Sequence, residues 1–267
     1  MLSPGGLFNL DDLSDAFLFA GVKLVWEVLD QIKEYTVNAI EQAGPQGAIL
    51  RRGGDVLLNT VVIHQGKVRE SGFELLGGDP TKGEMKVRLE GEVVSEAAVI
   101  HAGAAIMDDA VHFSPGCKVE PGALIKGPTF IGAGSEVRQG AYLRGSCLVG
   151  RACVVGHTTE MKNSVMLDGA KAGHFAYLGD SILGREVNLG AGTKLANLKI
   201  IDRPYYIKLG DKTHTIKRRK FGAILGDGCE TGCNSVTNPG TILGPKCLVA
   251  PCMAVKPGFH PGRSVIR

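Results

Sequence analysis

Residues 161–180 read MKNSVMLDGAKAGHFAYLGD. They set Lys162, Lys171, His174 and Tyr177 between stretches that are otherwise aliphatic and glycine-rich. These side chains are equipped to move a proton and to hold an anion. A histidine near its ordinary pKa accepts a proton at neutral pH, so His174 is the natural general base. The other histidines, His64, His101, His112, His157, His214 and His260, have no comparable surroundings and read as structural.

What must position these groups is a repeat. Phe113, Val119, Ile125, Ile131, Val137, Leu143, Val149, Val155, Met161 and Leu167 recur every six residues, and all are apolar. The position four further on is small: Cys117, Ala123, Thr129, Ser135, Ala141, Cys147, Cys153, Thr159 and Val165. The period returns at Leu225, Thr231, Thr237, Leu243, Val249 and Val255. Such a period predicts hexapeptide repeats, each a short strand and a turn. Three hexads make one triangular coil of a parallel β-helix, and the coils stack as a solenoid. The aliphatic residue fills the interior and the small one lies where the wall turns. Cys117, Cys147, Cys153, Cys229 and Cys247 then act as small hydrophobes. Cys229 and Cys233 of CETGC face different ways, which makes them a poor metal site, and no metal is expected.

The rhythm breaks twice. After Leu167 the next small slot holds Lys171 and the next aliphatic slot holds Gly173; the repeat resumes out of phase at Leu183, Leu189 and Leu195. This predicts a bulge or an extruded loop. The second break, residues 198–222, has two strand-like halves around Leu209-Gly210-Asp211 and predicts an extruded hairpin. Loops on a rigid scaffold commonly carry function.

Residues 1 to about 45 read as helical, with Ser14 as N-cap, Leu24, Val25, Val28, Leu29 and Ile32 at helical spacing, and Gly44-Pro45 as the stop. Within 48–95, AILRR, VLLNTVVIHQG and MKVRLEGEVV read as strands. The expected organisation is an N-terminal helical and β-hairpin segment over 1–95 and a β-helix domain over 96–267. The 38 glycines and the 6% aromatic content suit tight turns and small packed layers. A net charge of +3 makes no case for nucleic acid or a membrane surface. No signal peptide is evident, and Ala16–Trp26 is too short to span a bilayer, so a soluble, cytoplasmic protein is expected.

EMKNSVMLDGAKAGHFAYLGDSILGREVNLGAGTKLAN, residues 160–197, resembles the acetyltransferase domain of the bifunctional N-acetylglucosamine-1-phosphate uridyltransferase/glucosamine-1-phosphate acetyltransferase family. The stretch RRKFGAILGDGCETGCNSV, residues 218–236, looks closer still to its archaeal-type relatives. The likeness covers roughly residues 113–260. It implies a left-handed β-helix, a homotrimer with sites between neighbouring subunits, and acetyl-CoA as donor to a phosphorylated amino sugar such as glucosamine 1-phosphate or to a nucleotide-linked amino sugar. It also implies the site. His174 is the base and Glu160 the acidic group that orients it. Arg144 and Lys162 grip the sugar phosphate, for which arginine's planar fork is suited. Arg144 is followed by glycine where the family usually has proline. Tyr177 and Asn188 contact the sugar, Asn188 being as readable as a turn asparagine. Lys220 reaches the phosphate across the subunit boundary, and Asn197 lies beside the acyl carbonyl, where a donor stabilises an oxyanion. Cys233 and Pro251 line the acetyl-CoA groove, with cysteine standing where the family has a small hydroxyl residue. Residues 1–95 are too short for the family's nucleotidyltransferase half and carry no glycine-rich nucleotide loop, so uridylyl transfer is not expected.

Two other readings stand beside this one. A lipid A-type acyltransferase would take longer chains from acyl carrier protein onto a UDP-sugar, and Lys217–Lys220 could belong to a docking patch for it. A catalytically silent trimeric scaffold would use the N-terminal segment for binding.

Overall fold

Each hexad forms one short strand, and the strands fall into three parallel sheets that wall a triangular prism. The computed structural model describes residues 1–267 as this left-handed parallel β-helix with an α+β segment at its N-terminus. The first wall includes Lys118–Val119, Glu136–Val137, Val154–His157, Lys171–His174 and Asn188–Leu189. The second includes Tyr142–Arg144, Glu160–Lys162, Tyr177–Gly179 and Lys194–Leu195; the third includes Cys147–Val149, Ser164–Met166, Ile182–Leu183 and Ala223–Leu225. Neighbouring coils pair in register, as Leu143 with Met161 and Met161 with Leu178. The interior is a continuous apolar column from Ile106 to Val255, and the inward cysteines Cys117, Cys147, Cys153, Cys229 and Cys247 are buried in it. Cys233 is exposed, so the two cysteines of CETGC do face different ways.

The phase slip expected after Leu167 occurs one corner earlier and extrudes nothing. Leu143 to Val149 spans six positions, but Met161 to Met166 and Leu178 to Leu183 span five. Each short corner loses one residue. The full corner turns on two left-handed residues, Gly145 (φ 92°) and Ser146 (φ 52°); the short ones turn on Asn163 (φ 45°) and Asp180 (φ 47°) alone. Asparagine and aspartate tolerate this region better than other side chains do. Met166 and Ser164 therefore take the slots expected of Leu167 and Val165, and Ala170, Ala172, Ala176 and Leu178 fill the interior of the next coil. Lys171 and Gly173 are not inward; Lys171 stands exposed on the first wall.

The second break is a hairpin, as expected. Tyr205–Leu209 pairs antiparallel with Lys212–Ile216 around Gly210. Leu195 and Leu225 are thirty positions apart where the repeat needs six, so 24 residues leave the wall here.

The N-terminal segment covers the third wall, whose outward residues are apolar. Leu148, Val165, Ile182, Ile224 and Ile242 share one buried cluster with Phe8, Trp26, Leu29 and Ile32 and with Tyr205 and Ile207 of the hairpin. The helix is shorter than expected, Val28–Ala43, and Ser14 does not cap it. The Glu27 carboxylate instead accepts from the backbone N–H groups of Lys23 and Leu24 and closes the short turn before the helix, while Ser14 donates to Asp168 of the β-helix at 2.9 Å. Gly44 ends the helix at φ 93°. Gly47–Leu50 and Arg51–Gly53 are helical turns where a strand was expected, because Gln46 and Gly47 are fixed against the first coils instead of pairing in a sheet. Val61–His64 pairs antiparallel with Ala98–Ile100 and so extends the first wall at its N-terminal end. No helix is long and apolar enough to cross a membrane.

Candidate active site

The polar residues gather where the second wall turns into the third. Leu143 and Met161 point inward, so Arg144 and Lys162 after them point out, one coil above the other. Arg144 Nη1 donates to Glu160 Oε1 at 2.6 Å, and its guanidinium lies 5.8 Å from the Tyr142 ring centroid. Lys126 Nζ, one coil below, lies 5.7 Å from the same ring. The Lys162 ammonium is held below the ordinary lysine value, first by burial and then by Lys220, with Arg144 adding to the effect. Lys220 returns to this edge at the foot of the hairpin, where it bridges Leu198. The lysine expected from across a subunit boundary therefore stands beside Lys162 of its own chain.

Behind the cations runs a polar ladder. Asn163, Asp180 and Asn197 follow one another at intervals of seventeen residues, the length of the shortened coil. The buried Asp180 carboxylate accepts from Asn163 Nδ2 at 2.9 Å and from Asn197 Nδ2 at 2.6 Å. A carboxylate only accepts, so Asn197 must turn its amide nitrogen to Asp180 and its oxygen toward Tyr177. The Tyr177 hydroxyl donates to that oxygen at 3.4 Å. Burial, together with the charges of Glu160 and Asp180, pushes the Tyr177 phenol up, so it stays a donor at neutral pH. Gly179 leaves the space this requires. A Cβ there would sit 2.5 Å from Asn197 Nδ2 and 2.6 Å from the Tyr177 hydroxyl.

His174 stands on the other edge of the second wall, where the first wall turns into it. It is exposed, stacked above His157 in the register, with its ring centroid 6.5 Å from that of Phe175. Glu160, expected to orient it, is bonded to Arg144 instead, and its strand neighbour is Tyr177. The second wall thus carries Tyr142, Glu160 and Tyr177 between a histidine on one edge and three cations on the other. Cys233 and Pro251 continue the histidine edge on later coils, both exposed, and Cys252 N–H donates to the Cys233 carbonyl at 2.9 Å. Asn188 lies apart from the cations, exposed on the first wall between Lys171 and Glu230. Asp180, Asn163, Tyr142 and Lys126 were not singled out from the sequence. The seventeen-residue spacing of Asn163, Asp180 and Asn197 was the signal for the first two, visible only once the coil length is known.

Residues 125–259 match the GMPPB C-terminal domain, about half of the chain. The chain belongs to the GMPPB C-terminal domain family. This member is also similar to the bifunctional sugar-1-phosphate nucleotidylyltransferase/acetyltransferase of Sulfurisphaera tokodaii, at 36% identity over 96 residues, 36% of this chain and 24% of the relative. With the bifunctional protein GlmU of Methanococcus vannielii it shares 38% over 101 residues, 35% of this chain and 24% of the relative. With that of Stutzerimonas stutzeri it shares 31% over 236 residues, 83% of this chain and 46% of the relative. The GMPPB C-terminal domain member thus spans about a quarter to a half of the length of these curated relatives, from 24% to 46%.

Proposed function

We propose that the chain transfers an acetyl group from acetyl-CoA to the amine of an amino sugar phosphate such as glucosamine 1-phosphate, in a homotrimer with sites between subunits. The observation that carries this reading is the cation edge. Arg144 and Lys162 stand outward on successive coils with Lys220 beside them, and burial and Lys220 disfavour the charge on Lys162, a penalty that a bound anion would relieve. The names of the similar proteins, which include sugar-1-phosphate and acetyltransferase chemistry, point the same way.

In this account the sugar phosphate binds Arg144, Lys162 and Lys220. Tyr177 holds the sugar on the second wall, with Asn188 brought from the first wall of a neighbouring copy. The acceptor reacts as its free amine, and His174 removes one proton from the nitrogen as the C–N bond forms. The nitrogen attacks the thioester carbonyl, and the remaining N–H of Asn197 faces the developing oxyanion. The C–S bond then breaks, CoA leaves as the thiolate, and the proton held on His174 neutralises it. Glu160 holds the Arg144 guanidinium in place through its hydrogen bond. Acetyl-CoA lies along the histidine edge, over Cys233 and Pro251. No metal enters these steps.

Release of CoA thiol tests the proposal, with glucosamine 1-phosphate, other amino sugars and an unphosphorylated control as acceptors and with acetyl-CoA or acyl-carrier-protein thioester as donor. Turnover of acetyl-CoA that requires a phosphorylated amino sugar is the expected result. Turnover only with the carrier-protein thioester, or none with any pair, would reject it.

A further inference from the structure

The foot of the hairpin holds more positive charge than one phosphate needs. Two clefts adjoin there. One is lined by Asp202, Arg203, Pro204, Lys217, Arg218 and Arg219, the other by Asp30, Asp180 and Lys217 to Lys220, and neither has an apolar lining residue. They share Lys217, Arg218 and Arg219, so they form one trough. Its inner end is Asp180 and Lys220, the same residues that flank Lys162. Arg218 is already committed: Nη1 pairs with Asp30 at 2.6 Å, and Nε donates to the Lys220 carbonyl at 3.3 Å. Lys217, Arg219 and Arg203 are exposed and have no carboxylate bonded to them.

We infer that this trough binds the outer phosphate and nucleoside of a nucleoside diphosphate, so that the acceptor is a nucleotide-linked amino sugar and not only a sugar 1-phosphate. The inference rests on the acyl-transfer reading for what happens at the sugar, but not for the binding itself. Three features carry it. The trough continues directly from the cations assigned to the first phosphate. Residues 217–220 run from the end of the hairpin strand at Ile216 to the bridge at Lys220, so their side chains offer further cations beside the one assigned to the first phosphate. The carboxylate of Asp202 stands at the outer end among the cations, where it can accept from ribose hydroxyls. The phosphates of CoA belong elsewhere in this account, on the histidine edge at the other side of the second wall. A convex docking face for a carrier protein would not need inward-lining carboxylates such as Asp30 and Asp180.

The test is calorimetric titration of the full chain with UDP and with GDP, for the native protein and for Lys217→Ala/Arg219→Ala, with inorganic phosphate as control. The two positions are exposed, and a thermal melt of the variant confirms its fold. The expected result is binding of at least one nucleoside diphosphate that weakens roughly tenfold or more in the variant, with the KM for acetyl-CoA unchanged. Absence of binding to either nucleotide, or equal binding by the variant, would overturn the inference and leave glucosamine 1-phosphate turnover to stand or fall by itself. A rise in the KM for acetyl-CoA without loss of nucleotide binding would assign the trough to CoA and also overturn it.

Discussion

Asp180 accepts from two amides and not from a cation, so its work is to fix the direction of Asn197 and through it Tyr177. Two substitutions separate this role from a contribution to folding. Gly179→Ala would place a Cβ against the tips of two side chains and not against backbone. It is expected to change stability by about 1 kcal/mol or less while lowering kcat/KM for the acceptor about tenfold to a hundredfold, since small misplacements at a reacting site are costly. A melt and a rate measurement check it; a large loss of stability with a normal rate would contradict the assignment. Lys162→Ala is expected to raise the acceptor KM at least tenfold and, because its ammonium is held below the ordinary value by burial and Lys220, not to lower the melting temperature. At this scale the sequence singles out residues whose type suggests a chemistry, such as His174 and Lys162, and the structure sets these two on opposite edges of the second wall. The sequence did not show that Glu160 would be spent on Arg144 or that Asp180 would be the hub, because both follow from which coil lies above which.

The edge between the second and third walls is where the elements depart from the repeat. It loses one residue at Asn163, loses another at Asp180, and then looses a 24-residue excursion, which carries the hairpin, between Leu195 and Leu225. The hexad identified the scaffold from its apolar positions, but a one-residue deletion looks the same in sequence whether it lies at Asn163 or after Leu167. The register of Met166 over Val149 decides it. The N-terminal segment is tied to this scaffold by polar bonds as well as apolar packing. Asp168 is buried, which opposes its charge, yet the Arg151 backbone N–H and guanidinium and the Ser14 hydroxyl hold its carboxyl below the ordinary value. A lowered folded pKa gives stability that is complete above the unfolded carboxylate range, about pH 4, and that is lost as pH falls through the folded value. Acid is therefore expected to loosen the segment before neutral or mildly alkaline conditions do. Asp168→Ala is expected to cost about 2–3 kcal/mol in denaturant unfolding at neutral pH, and to remove part of the acid sensitivity. A change below about 0.5 kcal/mol would show the latch to be ornamental.

Across the molecule, the three walls have different fates. The third is covered by the chain itself, through the helix Val28–Ala43 and the hairpin. The second stays open and polar, with Tyr142, Glu160, Tyr177 and Lys194 outward. Assembly into the proposed trimer must then use the first and second walls and their edges, which is where a shared site would form. Sedimentation equilibrium is expected to give three times the 28.2 kDa chain mass; a monomer with full activity would rule out intersubunit sites. The overall architecture was legible because a period of six leaves few alternatives, whereas the cover on the third wall was not, because its apolar residues resemble interior ones in sequence. The central claim is that His174 is the base of an acetyl transfer. The most direct test is kcat for CoA release with glucosamine 1-phosphate in the native chain and in His174→Ala, with acetyl-CoA affinity measured alongside. The account predicts a fall of roughly 10²–10⁴ in kcat with affinity for acetyl-CoA retained. An unchanged kcat in the variant would contradict it.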